Sequence, residues 1–169
     1  MPSVLVVFAS TTGNTQFVAE QFQLAYGPDS VLFDLSQLDQ AAINNATALV
    51  CCVSTWGKGD MQDDWDAQHK TLEALDFSGK IVAVLGLGDQ KNYPEKFADG
   101  AGVLAGILVK RGGKLCGRTN TTGYSFSFSK AVVNGKFEGL IIDEENQHSQ
   151  TEERIHAWVR QLKREFTRL

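Results

Sequence analysis

An α/β protein built on one doubly wound parallel sheet of five strands, with helices on both faces, is the fold the sequence predicts. Two observations carry it. Apolar runs alternate with stretches of helical periodicity along the whole chain. The runs are apolar throughout, as strands covered on both faces require. A third observation sets the size: 169 residues, 43% of them hydrophobic, suit a single domain over 1–169 with a sizeable core. Neither a repeat nor a linker interrupts it.

The elements follow in order. Val4 to Phe8 is a continuous apolar run and reads as the first strand. Thr15 to Ala25 carries Val18, Phe22 and Ala25 on one helical face. Val31-Leu32-Phe33 is a short second strand and Ala48 to Val53 a third. Trp65, Leu72 and Leu75 mark a helix with an acidic first turn, which suits the helix dipole. Ile81 to Leu87 is the fourth strand. Phe97, Ala101, Leu104, Ala105 and Leu108 fit helical spacing, stopped by Gly112-Gly113. Leu115-Cys116 begins a fifth strand that breaks off. Residues 118–138 are polar, with Tyr124, Phe126 and Phe128 interspersed, and the strand resumes at Gly139-Leu140-Ile141-Ile142. Ile155, Trp158, Val159, Leu162 and Phe166 form a last amphipathic helix, with Ser149 and Glu152 at capping-box spacing before it.

Composition excludes several classes. The net charge of −4 argues against non-specific nucleic-acid binding and leaves room for basic protein partners. No apolar run is long enough to span a bilayer, and Met1-Pro2-Ser3-Val4 lacks the pattern of a signal peptide, so the expected location is cytoplasmic. Cys51, Cys52 and Cys116 form no CxxC pair. Adjacent Cys51 and Cys52 should point to opposite faces of a strand, as structural thiols. His69, His148 and His156 lack ligand partners at useful spacing, so no metal site is expected.

In a doubly wound sheet, ligands bind beyond the carboxyl ends of the strands. The first such loop is Ala9-Ser10-Thr11-Thr12-Gly13-Asn14-Thr15, rich in hydroxyls at the start of a helix. Unsatisfied helix N–H groups, side-chain hydroxyls and the helix dipole can together wrap a phosphate. The loop has no Lys or Arg and matches neither the triphosphate loop nor the GxGxxG turn, so it suits a monophosphate. An ordinary Ser/Thr-rich helix cap would use the same residue types. The third strand ends in Ser54-Thr55-Trp56-Gly57-Lys58-Gly59-Asp60, and the fourth in Gly86-Leu87-Gly88-Asp89-Gln90-Lys91-Asn92-Tyr93. Each offers glycines and one large aromatic at the same sheet edge. A flat ring could lie between Trp56 and Tyr93, with backbone amides reading its polar rim.

On these segments, with Asp143-Glu144-Glu145-Asn146-Gln147 and the interrupted fifth strand, the chain resembles the flavodoxins of the long-chain type over nearly its whole length. The resemblance implies strand order 2-1-3-4-5, non-covalently bound FMN and low-potential one-electron transfer, with no catalytic residues and no metal. It implies that Ser10, Thr11, Thr12, Asn14 and Thr15 bind the phosphate while Gly13 shapes the turn. Ser54, where many members have proline, Thr55, Trp56, Gly57 and Lys58 form the second loop. Gly88, Asp89 and Tyr93 come from the third. Trp56 and Tyr93 would flank the ring, Asp89 and nearby backbone would meet its pyrimidine edge, and Asp143 or Glu145 would lie near the ribityl chain. The Gly57–Lys58 peptide would turn over on reduction, at low cost because glycine tolerates positive φ.

Partners implied are redox proteins such as an NADP-linked flavodoxin reductase and acceptor enzymes with basic docking surfaces, met by a monomer. Asp60, Asp63, Asp64 and Asp66 would make the flavin end negative, while Arg154, Arg160, Lys163, Arg164 and Arg168 gather on or near the last helix. Lys58 and Lys91 fall in the two ring-contacting loops. A partly screened positive charge about 8 Å away is worth on the order of 0.5–2 kcal/mol, or tens of millivolts for one electron. Potentiometry of Lys58→Gln and Lys91→Gln is expected to show the second one-electron potential falling by that amount; no change in either variant rejects the idea.

Other readings compete less well. A response regulator would need acidic residues where Ala9-Ser10 and Ser54-Thr55 stand, and a small tyrosine phosphatase would need Cys and Arg in the phosphate loop. A flavodoxin-like, FMN-dependent quinone reductase is the alternative within the same fold. A binding module with FMN as a sensing ligand is the third.

Overall fold

The computed structural model describes residues 3–9, 13–55 and 69–168. Strands β1 (Val4–Phe8), β2 (Ser30–Asp34), β3 (Ala48–Ser54) and β4 (Ile81–Leu87) are parallel neighbours in the order β2-β1-β3-β4. The fifth row is shared by two short strands, β5 (Lys114–Leu115) and, later in the chain, Leu140–Ile142. Lys114 and Leu115 lie opposite Ile81 and Val82, whereas Leu140 to Ile142 lie opposite Leu85 to Leu87. Both segments run parallel to β4, so together they complete the order 2-1-3-4-5. The strand is one row of the sheet from which the chain departs and to which it returns.

The excursion forms its own three-stranded antiparallel sheet from β6 (Thr119–Asn120), β7 (Val132–Val133) and β8 (Lys136–Phe137), in the order β6-β8-β7. The returning strand is β9. Tyr124 and Phe126, spaced by two in the sequence, turn inward onto Phe97 and Phe137, with ring centroids 5.0–5.9 Å apart. Phe128 instead stays 60% exposed.

Side-chain alternation splits the core across the sheet. Leu5, Val7, Leu49, Cys51, Val53, Val82 and Val84 face one layer, with Ile43 of α2 (Gln40–Asn45), Leu72 of α3 (His69–Ala74) and Leu104 and Leu108 of α4 (Asp99–Lys110). Val4, Val6, Val50, Cys52, Ala83 and Leu85 face the other. There they meet Val18 and Phe22 of α1 (Gly13–Tyr26) and Ile155, Trp158 and Leu162 of α6 (Thr151–Phe166), which follows the short α5 (Glu144–Gln147). Trp158 is fully buried, lies edge-on to Phe22 at 5.4 Å, and donates its indole N–H to the Gly117 carbonyl at 2.8 Å.

Several boundaries differ from the sequence reading. The first helix starts at Gly13, so Gly13 and Asn14 belong to its opening turn rather than to the preceding loop. The capping box at Ser149 does not form. A 3-10 turn over His148–Gln150 runs straight into α6, and Gln150, at φ −98° and ψ −8°, is already helical and makes no side-chain cap. The extended residue that a side-chain cap needs is missing. The helix expected around Trp65 is described from His69 on; Trp65 itself lies outside the described residues.

The cysteines behave as the alternation requires: Cys51 and Cys52 sit in opposite core layers and, with Cys116, are buried thiols outside any disulfide. Burial pushes Cys51 and Cys116 up to about 12 and Cys52 further still. Their ordinary value is 9.0. The unfolded chain therefore loses these protons first, and the native state binds more protons as the pH climbs. Stability is unaffected below the ordinary thiol value and falls between it and about 12. Urea titrations at rising alkaline pH are expected to show this loss, and replacing Cys51 by alanine should flatten it.

Candidate functional site

Because β1, β3, β4 and β9 are parallel, their exits meet at one edge of the sheet. Ala9 leads out of β1, and α1 opens at Gly13 with Asn14 exposed and Thr15 fully buried. The first turn holds no acidic residue, so nothing there opposes an anion at the helix terminus. The hydroxyls of Thr15 and Ser54 share a hydrogen bond of 2.8 Å, which ties the start of α1 to the end of β3. Thr55 carries the link onward: its amide donates to the Leu87 carbonyl at 3.1 Å, and its hydroxyl accepts from the Gly100 amide at 2.9 Å. Thr15→Val removes the hydroxyl without changing the shape. It is expected to cost about 1 kcal/mol in urea denaturation, and no loss would show the tie to be idle.

The third loop leaves β4 through Gly88, whose amide donates to the Ile142 carbonyl at 3.1 Å. A Cβ there would stand 2.9 Å from both the Ala98 amide nitrogen and the Phe97 ring, so the position needs glycine for a close approach. The Asp89 carboxylate accepts from the Asn92 amide at 3.0 Å, the Asn92 side chain at 2.7 Å and the Asn146 side chain at 2.8 Å. Partial burial alone would raise its carboxyl; the hydrogen bonds from Asn92 and Asn146 outweigh that and hold it below its ordinary value. Within the protein its carboxylate is turned to Asn92 and Asn146. Tyr93 donates its amide to the Asp89 carbonyl at 2.9 Å and leaves its side chain 44% exposed, free to be covered by a flat ring. A hollow of about 470 Å³ lies between parts of this loop and the insertion, lined by Gln90, the exposed Lys91, Phe126 and Asn146.

Asp143 has a structural role of its own. It is completely buried and belongs to the protein's own frame rather than to a ligand's chain. One oxygen accepts from the Gln90 amide at 3.0 Å, the Gln90 side chain at 2.7 Å and the Asn146 side chain at 2.9 Å. The other accepts from the Asn146 amide at 3.0 Å, so Asp143 caps α5. The signal was legible in Asp143 and Asn146, three residues apart as a helix cap requires. The role of Gln90 carried no comparable sequence signal. Glu145 is exposed on α5.

Ser10, Thr11, Thr12, Trp56, Gly57 and Lys58, and the acidic group Asp60, Asp63, Asp64 and Asp66, lie outside the described residues. Among the described residues no group of His, Cys, Asp or Glu could hold a metal ion. His148 pairs with Glu144, and His156 lies 3.9 Å from Glu152, both one helical turn apart at the surface. Arg154 of the last helix lies over the Tyr124 ring at 4.0 Å.

A family model described as flavodoxin matches residues 6–158. The chain belongs to the flavodoxin family. Among the curated flavodoxins, that of a Picosynechococcus species is 43% identical over 168 residues, covering 98% of this chain and 99% of the relative. That of Helicobacter pylori is 41% identical over 167 residues, with 98% and 99% covered. In three dimensions the chain is similar to the crystal structure of Fusobacterium nucleatum flavodoxin bound to flavin mononucleotide, with a TM-score of 0.91 and 34% identity over 98% of this chain and 99% of that one. The length of 169 residues and the divided fifth strand fit the long-chain flavodoxins. Within that family the Thr15–Ser54 tie, the close turn at Gly88 and the exposed Tyr93 share the sheet edge where doubly wound proteins bind ligands.

Proposed function

We propose that this flavodoxin carries single electrons on one non-covalently bound FMN. The observation that carries the reading is the convergence at one sheet edge of the start of α1, whose first turn holds no acidic residue, the Thr15–Ser54 tie, and a loop that leaves Tyr93 exposed. The donor set fits the cofactor: hydroxyls and helix amides suit a phosphate, and an exposed phenol ring suits a flat isoalloxazine. The redox chemistry belongs to the flavin; the protein supplies grip, orientation and electrostatics. Ser10, Thr11, Thr12, Gly13, Asn14 and Thr15 would hold the phosphate. Trp56 and Tyr93 would cover the ring, and the backbone around Gly57, Lys58, Gly88 and Asp89 would meet its polar atoms. The relatives at 41–43% identity are flavodoxins, which favours an electron carrier over a quinone reductase.

The same reading makes the chain one domain and a monomer. Its partners would be an NADP-linked flavodoxin reductase and acceptor enzymes with basic docking surfaces, steered by the acidic residues near Trp56. No helix among the described residues is long and apolar enough to cross a membrane. The three thiols outside any disulfide suit a reducing compartment, and we place the protein in the cytoplasm.

The test is direct. The purified protein should be yellow, release FMN on denaturation, and take up electrons in two resolved one-electron steps during stepwise reduction. A colourless protein that FMN cannot reconstitute overturns the reading.

A further inference from the structure

We propose that Gln90 is a positioning residue, which locks the loop carrying Asp89 and Tyr93 into its ring-binding geometry before the cofactor arrives and uses the fifth-strand insertion as a brace. The inference rests on the FMN reading for what the loop binds, but the locking is a property of the protein alone.

Gln90 is buried, 7% exposed, although its neighbours Lys91, Asn92 and Tyr93 are exposed. Its amide uses both ends. The side-chain nitrogen donates to Asp143 at 2.7 Å, and the side-chain oxygen accepts from the Ser125 amide at 2.6 Å. Its backbone amide donates to the same Asp143 oxygen at 3.0 Å. One residue thus joins the β4 exit to a segment 53 residues away and to another 35 residues away. The two anchors are themselves held. Asp143 caps α5 through Asn146, and Asn146 reaches back to Asp89 at 2.8 Å. On the insertion side, the amides of Ser127 and Phe128 donate to the Pro94 carbonyl at 2.7 and 3.0 Å, and the Phe97 amide donates to Phe128 at 3.3 Å.

The loop between Gln90 and Phe97 is therefore tied at both ends, through Gln90 to Asp143 and Ser125 and through Pro94 and Phe97 to the insertion. The tip, Lys91 to Tyr93, is exposed and stays in place through the Asp89 bonds to Asn92 and Tyr93. A side chain with one donor end and one acceptor end is needed at position 90. Glutamate would set a second carboxylate against Asp143, and methionine, of similar length, would make neither bond. A loop that is competent for only a fraction of the time weakens apparent affinity by that fraction.

Apo-protein of the wild type, Gln90→Met and the control Leu162→Ala should be titrated with FMN and with riboflavin at a temperature where all three are folded. Leu162 is a fully buried residue of the opposite core layer, so its truncation lowers stability without reaching the loop. Gln90→Met should weaken both ligands by the same factor, roughly tenfold, because the loss is confined to the ring loop. Amide hydrogen exchange at Asn92 and Tyr93 in the apo-protein should speed up. Leu162→Ala should change neither affinity nor those two exchange rates. Unchanged affinity and exchange in Gln90→Met, or equal losses in Leu162→Ala, overturn the proposal. If wild-type apo-protein binds no FMN, the functional reading falls instead, and the exchange rates at Asn92 and Tyr93 still decide whether Gln90 locks the loop.

Discussion

Asp143→Ala should lower the stability of the protein by about 3–5 kcal/mol, which at a urea slope near 2 kcal/mol per molar moves the midpoint by roughly 2 M. The reason is the number of donors left without an acceptor. The buried carboxylate takes hydrogen bonds from the Gln90 amide, the Gln90 side chain, the Asn146 amide and the Asn146 side chain. The two Gln90 donors are buried and cost about 1–3 kcal/mol each when stranded, while the part-buried Asn146 amide loses its cap and the Asn146 side chain keeps its bond to Asp89. Asp143→Asn keeps the shape but replaces one acceptor oxygen with an N–H₂ group facing donors, so it should lose roughly half as much. A loss under about 1 kcal/mol for the alanine variant would show that solvent reaches the site and that the bonds carry little.

Gly139→Ala should be as damaging, for a steric rather than an electrostatic reason. Gly139 stands where the chain returns from the insertion to the sheet. A Cβ at this position would sit 2.0 Å from the Val84 carbonyl oxygen and 2.9 Å from its carbon. Val84 lies inside β4, fully buried and paired in register with Cys51 of β3, so the sheet cannot give way. The methyl group must displace β9 or distort the strand beside it, and the expected cost is at least about 3 kcal/mol, the upper range for overpacking. Gly106→Ala is the matched control. It lies on the exposed face of α4 with nothing within 4 Å of its would-be Cβ, and it should stabilise by about 0.5–1 kcal/mol through helix propensity. Thermal and urea unfolding of the pair should move in opposite directions; a neutral Gly139→Ala would mean that the return to the sheet tolerates a displaced strand.

Much of this was legible in the chain. The apolar runs at Val4, Ala48 and Ile81 are strands because a parallel sheet covered on both faces needs unbroken hydrophobic runs, whereas their order was implied only by the family resemblance and is fixed by the observed pairing. Cys51 and Cys52 fall in opposite layers because a strand's side chains alternate. The break and resumption of the fifth strand could be read from the polar stretch between Leu115 and Gly139, since polar residues cannot occupy a covered row.

What the one-dimensional pattern could not decide was how groups far apart in sequence share hydrogen bonds. Asp143 reads equally well as a ligand contact or as a cap, because a carboxylate accepts from either. Its full burial against Gln90 and Asn146 makes it a cap. Asp89 likewise had a ring's edge as its expected target, and the bond its carboxylate takes from Asn146, 57 residues away, carried no sequence signal. Ser149 had the spacing of a capping box, but a preceding turn keeps the chain helical there.

By itself, then, the sequence determined the layer architecture, the sheet edge where the exits of β1, β3 and β4 gather and the family, because periodicity and short local motifs act between near neighbours. Tertiary structure alone decided which polar side chains hold the protein together and which remain for a ligand. A buried polar group must be satisfied by whatever the fold brings beside it, and Gln90, Ser125 and Asp143 meet only once the insertion and the divided strand are in place.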